Sequence, residues 1–161
     1  MKNNKIEKFA PLMSWDISSP VSGIRAKKAK DLEALEGFSE LHHWQVDLNK
    51  ELMAGYQTLV LTDSNQQILW VNQDFHTMTG YTPEFAIGKK PTFLQGVKTS
   101  ENVKRRIREG LAAGRSITES VINYRKSGEE YACHISIIPL IHSTRGITHF
   151  LALEREIVLA S

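Results

Sequence analysis

The chain has 161 residues, 41% hydrophobic and 24% charged, which is ordinary for a globular protein with a substantial core. Its formal net charge of +2 is too small to predict nucleic-acid binding from the total. The single cysteine, Cys133, excludes an intrachain disulfide and is typical of a reducing compartment. No apolar run approaches the length of a membrane span or a secretory signal, so we expect a cytoplasmic protein with no membrane partner.

Residues 1–30 are predicted to form an N-terminal tail and a basic linker. The apolar residues Leu12, Met13 and Trp15 could dock on the domain or belong to a disordered tail, and both interpretations stay open. Four cations lie between Arg25 and Lys30, a density that can bind phosphates. Because no aromatic residue separates them, the pattern favours a solvated helix start or linker over a nucleic-acid site.

Residues 31–55 are predicted to form a flanking helix, with Asp31 as its cap and Gly55 at its C-terminal end. Gly37 weakens the pattern, so either one bent helix or two helices fit it. Apolar residues recur at three- to four-residue steps, so they form a stripe along one side of the helix. Another protein surface must cover this stripe. The stripe consists of Leu32, Leu35, Phe38, Leu41, Leu48 and Leu52, widened by Trp44 and Met53.

Residues 56–158 are predicted to form one α+β domain on a single antiparallel sheet. The predicted elements are strands at 58–62 and 68–72, short helices at 74–81 and from 82, an irregular connector at 88–96, a helix at 101–113, and strands at 116–124, 131–140 and 147–158. Alternation along the last three strands leaves both faces of the sheet largely apolar, so both faces must be covered. The short helices and the connector are expected to cover the first face. The flanking helix, from this chain or a partner subunit, is expected to cover the second, which predicts a homodimer.

The segment from Thr58 to Glu156, about three-fifths of the chain, resembles a PAS domain. The residues that carry the resemblance are Val60-Leu61-Thr62-Asp63, Val71-Asn72 with Phe75, Thr79-Gly80-Tyr81, Gly88, Phe93-Leu94-Gln95-Gly96 and Asn123-Tyr124-Arg125-Lys126-Ser127-Gly128. Within that family the last two motifs look most like the LOV subgroup of flavin-binding blue-light sensors. The resemblance implies a PAS fold whose five-stranded antiparallel sheet has short helices on one face, an N-terminal helix on the other, and a small-molecule cavity.

LOV photochemistry needs a cysteine thiol beside the flavin, in a sequence like Asn-Cys-Arg-Phe-Leu-Gln. This chain has Lys90-Pro91-Thr92 in place of Asn-Cys-Arg. Since proline has no thiol, the covalent photoadduct of the family cannot form at Pro91. Cys133 lies on the predicted sheet and does not align with the missing thiol.

The resemblance implies a set of cavity-lining residues that could contact FMN. Gln95, Asn123 and the phosphate-facing Arg108 are retained, whereas Cys133 and Glu154 replace an asparagine and a glutamine of the family. A cysteine is a poor hydrogen-bond partner, and an ionised glutamate repels a carbonyl. Each unpaired buried group costs about 1–3 kcal/mol, so no tightly bound cofactor is predicted, and FMN is the possible one that the resemblance implies.

Two of these residues admit another interpretation. Glu154 is either a buried acid with a raised pKa that senses pH or a ligand, or a side chain that reaches solvent or an arginine. Cys133 is either a redox- or metal-sensing thiol or, as the pattern favours, an inert core cysteine. The six histidines show no spacing typical of a metal site.

The first hypothesis is a non-catalytic PAS signalling module that acts through protein–protein interaction as a homodimer and passes its signal to a separate partner. No nucleophile–base pair or phosphate loop suggests an enzyme, and no kinase, cyclase or DNA-binding segment follows the last strand. The alternative is a flavin-based light or redox sensor that uses electron transfer without an adduct, with Trp70 or Tyr124 as donor. Nucleic-acid association through the basic run is a third hypothesis.

Overall fold

The computed structural model describes residues 20–159, so the predictions for Leu12, Met13 and Trp15 lie outside the described residues. The helices are α1 (Pro20–His42), α2 (Leu48–Leu52), α3 (Asp74–Thr79), α4 (Pro83–Ala86) and α5 (Glu101–Ala112), with a 3-10 helix at Pro91–Leu94. The strands are β1 (Thr58–Asp63), β2 (Ile68–Val71), β3 (Ile117–Tyr124), β4 (Glu130–His142) and β5 (Gly146–Ile157). Within the described residues, no helix is both long and apolar enough to cross a bilayer.

The five strands form one sheet in the order β2-β1-β5-β4-β3, and every neighbouring pair is antiparallel. The predicted α+β fold with a five-stranded antiparallel sheet is therefore confirmed. Consecutive side chains of a strand point to opposite faces, which gives the sheet an inner face under α5 and the 3-10 helix and an outer face under α1 and α2.

The outer face is covered by the N-terminal helices of the same chain. Leu35 of α1 is fully buried, and Leu48 and Leu52 of α2 are almost so. They pack against the outward leucines of the sheet, which are Leu59, Leu61, Leu140, Leu151 and Leu153. The expectation that a helix covers this face is confirmed. Since α1 and α2 of this chain pack on the outer face, the cover comes from the same chain.

The N-terminal segment differs from its prediction in three ways. The helix begins at Pro20, so the basic run lies inside α1 and Asp31 is a buried interior residue, not a cap. The helix is interrupted after His42, not at Gly37, because Trp44 leaves the helix to pair with the β4 strand. Leu41 is 69% exposed, since it lies on the side of α1 that faces away from the sheet.

The connector between α4 and α5 is more regular than predicted. Pro91 occupies the first position of a single 3-10 turn, where its fixed φ suits the helix and its missing N–H costs no hydrogen bond. Leu94 at the end of this turn is 2% exposed and Phe93 is partly buried, as expected from their apolar character. The turn presents Pro91 and Leu94 to the inner face of the sheet.

Candidate functional site

A cavity of about 90 Å³ lies between the inner face of the sheet, the 3-10 helix and α5. Its walls are mostly apolar and include Ile107 and Leu111, the residues of α5 that recur at four-residue spacing. The polar lining side chains are Thr62, Gln66, Thr92, Gln95, Asn123 and Glu154. A concave apolar site with a few convergent polar groups is the usual form of a small-molecule site.

Gln95 and Asn123 come together because the segment after the 3-10 helix is attached to β3. The two residues form an isolated antiparallel bridge between their backbones. The Thr99 hydroxyl accepts a hydrogen bond from Gly96 N at 2.9 Å and donates one to Ile122 O at 2.6 Å. These contacts hold both amide side chains at one wall of the cavity.

Gly96 permits this close attachment. A Cβ atom at Gly96 would lie 2.5 Å from Cε2 of the Tyr124 ring, closer than such atoms approach. The Tyr124 hydroxyl accepts a hydrogen bond from Lys98 N at 3.0 Å, which fixes the ring against the glycine. Only a residue without a side chain fits between the connector and the tyrosine.

Glu154 lies on β5 in the wall of the cavity and is 4% exposed. Burial raises the pKa of its carboxyl group to about 7, and the hydrogen bond from Cys133 acts in the opposite direction. No cation pairs with Glu154 among the described residues, so the interpretation that it reaches solvent or an arginine is wrong. Removal from water disfavours the charged form of an isolated carboxyl group, which is the physical cause of the shift.

Cys133 lies on β4 beside Glu154 and is fully buried. Its Sγ atom is 3.8 Å from Oε2 of Glu154, within reach of a weak S–H hydrogen bond. Burial raises the pKa of the thiol well above its ordinary value, and the neighbouring carboxyl adds to the rise. The thiol therefore stays protonated, and it is not among the side chains that line the cavity.

The predicted site residues are brought together only in part. Gln95, Asn123 and Glu154 line one cavity, whereas Cys133 is buried beside Glu154 and is not among the lining residues. Arg108 is exposed on α5 and does not line the cavity. As contacts to a flavin, all five remain predictions.

Sequence reasoning missed several lining residues. Thr62 and Gln66 come from the β1–β2 hairpin, and Thr92 was considered only as a replaced arginine. Gln66 has a positive φ of 66°, a backbone conformation no sequence signal indicated for a glutamine. The alternation of β1 places Thr62 on the same face as Val60, and that signal could have identified it.

Four histidines lie close together near the end of α1: His42, His43, His142 and His149. Trp44 Nε1 donates to His149 Nδ1 at 3.1 Å, and the His42 ring lies 4.3 Å from that of His149. Burial, and to a smaller extent the charge of His42, lower the pKa of His149 to about 4. In the part of the chain that the structure describes, no group of three or more ligating side chains could hold a metal ion.

The comparisons with known proteins agree with this geometry. A family model described as PAS domain matches residues 57–158. Phototropin-2 of rice (Oryza sativa subsp. japonica) is 29% identical over 114 residues, which is 69% of this chain and 13% of that protein. Blue-light-activated histidine kinase 1 of Erythrobacter litoralis is 32% identical over 90 residues, 56% of this chain and 25% of that protein.

A similar solved structure is the LOV domain from an Erythrobacter litoralis blue-light activated histidine kinase. It superposes with a TM-score of 0.60 at 27% identity, covering 63% of this chain and 96% of that domain. The chain spans only a minor part of the curated relatives named above. With more than half of its length matched by the family model, the chain belongs to the PAS domain family and has LOV domains among its homologues.

Proposed function

We propose that this chain is a non-catalytic PAS sensory module that signals through protein–protein contacts and forms no cysteinyl-flavin adduct. The observation that carries the proposal is Pro91, which lines the cavity at the position where the LOV resemblance expects the reactive cysteine. A pyrrolidine ring offers no nucleophile to a ligand in that cavity. What the site retains is the ability to hold a small molecule.

Cys133 cannot replace the missing thiol. Its side chain is fully buried next to the carboxyl group of Glu154 and does not line the cavity. A reactive cysteine needs a thiolate, which electropositive and partly exposed surroundings favour. The raised pKa of Cys133 keeps the neutral thiol instead.

The described side chains that line the cavity offer hydrogen-bond partners to the polar edge of a flavin ring but no cation to its phosphate. Gln95 and Asn123 present amides that can both donate and accept hydrogen bonds along a polar ring edge. Apolar side chains such as Leu94 and Ile135 would lie against the ring faces. No cation is among the lining side chains of the described chain, and Arg108 faces solvent. A bound flavin would supply light absorption and electron-transfer chemistry.

The test is an illumination experiment on protein incubated with FMN. The wild-type chain should show no bleaching of the visible flavin band that recovers in the dark. The Pro91→Cys variant should gain this reversible bleaching if a flavin occupies the cavity, and Pro91→Ser is the matched control. Reversible bleaching in the wild-type protein, lost in Cys133→Ser, would overturn the proposal.

The alternative is a flavin sensor that works by electron transfer without an adduct, which Gln95 and Asn123 in the cavity favour. Neither donor considered from the sequence lines the cavity. Trp70 packs on the outer face near Phe38, and Tyr124 lies against the connector. A purified protein that is colourless and takes up no added flavin would eliminate this alternative.

In this proposal two copies of the chain form a homodimer. The homodimer passes its signal to a separate protein partner in the cytoplasm. Three apolar side chains of α1 remain exposed after α1 has covered the sheet: Val21 at 59%, Ile24 at 56% and Leu41 at 69%. Nucleic acid is a weaker candidate, because Lys27 in the basic run is already paired with Asp74. The apolar side chains left exposed on α1 support the dimer.

A further inference from the structure

Glu154 is the one ionisable side chain among those that line the cavity in the described chain. Two residues of β4 lie beside Glu154. The thiol of Cys133 is 3.8 Å from Glu154 Oε2, and Ile135 is the residue that pairs with Glu154 across the sheet. On β1 its neighbour is the buried Thr58, which is not ionisable. Tyr131 lies next to Cys133 on the same face of β4, and burial, followed by the charge of Glu154, raises the pKa of its hydroxyl above the usual range, so it is neutral at ordinary pH.

An ionised carboxylate in this position would lack adequate partners. A thiol is a weak donor, and a buried carboxylate without a cation or strong hydrogen bonds is costly. The neutral acid is the favoured form, in agreement with the raised pKa of Glu154, about 7. A neutral carboxylic acid differs from a carboxylate in one property that matters here, because it has an O–H group to donate.

We infer that the protonated carboxyl group of Glu154 donates a hydrogen bond through its O–H to the carbonyl oxygen of an uncharged, flat and largely apolar ligand, and that loss of this proton releases the ligand. The inference rests on the proposed function, since it places the sensed molecule in the same cavity. Gln95 and Asn123 would complete the polar edge, and the apolar lining residues would contact the faces of the ring. Ligand binding and proton binding are then coupled at one residue.

A cationic ligand is the competing possibility and is disfavoured by the same surroundings. Such a ligand would lose its hydration among apolar walls and gain a single carboxylate. It would also bind more tightly as the pH rises, which is the opposite of the inferred behaviour. The direction of the pH dependence therefore separates the two ligand classes.

The test measures the affinity of two carbonyl-bearing ring compounds, lumiflavin and 2-methyl-1,4-naphthoquinone, from about pH 6 to about pH 9 by titration calorimetry. Binding only to the protonated acid predicts an affinity loss of about tenfold per pH unit above the pKa of Glu154. Binding at the alkaline end should take up close to one proton, measured in buffers of different ionisation enthalpy. The two compounds distinguish a flavin ring from a simpler quinone ring as the preferred source.

Glu154→Gln keeps a neutral donor at every pH, so its affinity should be independent of pH and its proton uptake zero. The matched control is Glu156→Gln on the same strand, where an exposed carboxylate pairs with Arg125 outside the cavity and the wild-type pH slope should persist. Circular dichroism checks that both variants fold.

A wild-type affinity that is flat or rises with pH, a slope that persists in Glu154→Gln, or no binding of either compound would each overturn the inference. None of these results would restore a thiol at Pro91, so the adduct-free signalling module would survive them. Reversible photobleaching of the wild-type protein that is lost in Cys133→Ser would defeat that proposal independently.

Discussion

Asp31 shows how one buried side chain connects the N-terminal helix to the sheet. Its Oδ2 atom accepts hydrogen bonds from the Tyr56 hydroxyl at 3.0 Å and from Asn72 Nδ2 at 3.1 Å. Asn72 Oδ1 in turn accepts from the backbone N–H of Leu59 on β1, at 3.0 Å. Burial and then the Asp31 charge raise the pKa of Tyr56 above its usual range, so its hydroxyl remains a donor.

Asp31→Ala should lower the free energy of unfolding by about 2–4 kcal/mol, because the half-buried Tyr56 hydroxyl and one N–H of the buried Asn72 amide lose their acceptor, at about 1–3 kcal/mol each. Urea denaturation followed by circular dichroism measures the change. Glu33→Ala is the control, since Glu33 is exposed on the same helix and should cost no more than about 0.5 kcal/mol. Equal effects of the two substitutions would show that the network contributes nothing.

Individual residues were predictable where a motif or an alternation pattern places them. Pro91, Gln95 and Asn123 were identified by order and spacing, and all three line the cavity. The sequence left the burial of Glu154 as one of two interpretations, because its neighbour Cys133 is brought next to it by β4 from 21 positions away in the sequence. The exposed position of Arg108 agrees with the helical pattern of α5, in which Ile107 and Leu111 line the cavity and the charged residues occupy the remaining positions.

At the scale of elements, the strands and α5 were predicted well and the N-terminal helix was not. Strand alternation and the Ser100 cap of α5 are local signals, and Ser100 does accept a hydrogen bond from Val103 N. The end of α1 depends on distant groups. Trp44 pairs with His142 and donates to His149, and no residue near the break indicates either partner.

Gly96→Ala tests how the connector is held against β3. The added methyl group would meet the Tyr124 ring at 2.5 Å, so the variant should lose about 1–3 kcal/mol of stability through displacement of the ring or the connector. Thermal unfolding measures the loss. Gly37→Ala is the matched control: a Cβ atom at Gly37 would have nothing within 4 Å, and the change should stabilise α1 by up to about 1 kcal/mol.

The double variant Gly96→Ala/Tyr124→Ala should lose less stability than the sum of the two single losses, because the clash disappears. This shortfall separates a steric cause from a backbone cause, since Gly96 does not need a positive φ. A double variant as unstable as the sum of both changes would contradict the steric explanation.

For the whole molecule, the apolar character of both sheet faces was enough to predict that other elements pack against each face. It was not enough to assign the outer cover, because a helix of a partner subunit would bury the same leucines. The structure assigns that role to α1 and α2 of the same chain. The homodimer expected from the sequence must therefore use surfaces that remain exposed after this packing.

Those surfaces make the dimer testable. A homodimer through α1 predicts twice the chain mass in size-exclusion chromatography with light scattering, and a single charge at Ile24 or Leu41 should shift the protein toward the monomer. Both side chains are more than half exposed, so neither change disturbs the core. Met53→Glu is the control, because Met53 is 82% exposed but lies outside α1. A wild-type protein that is monomeric at high micromolar concentration would exclude the dimer and leave the separate partner as the route for the signal.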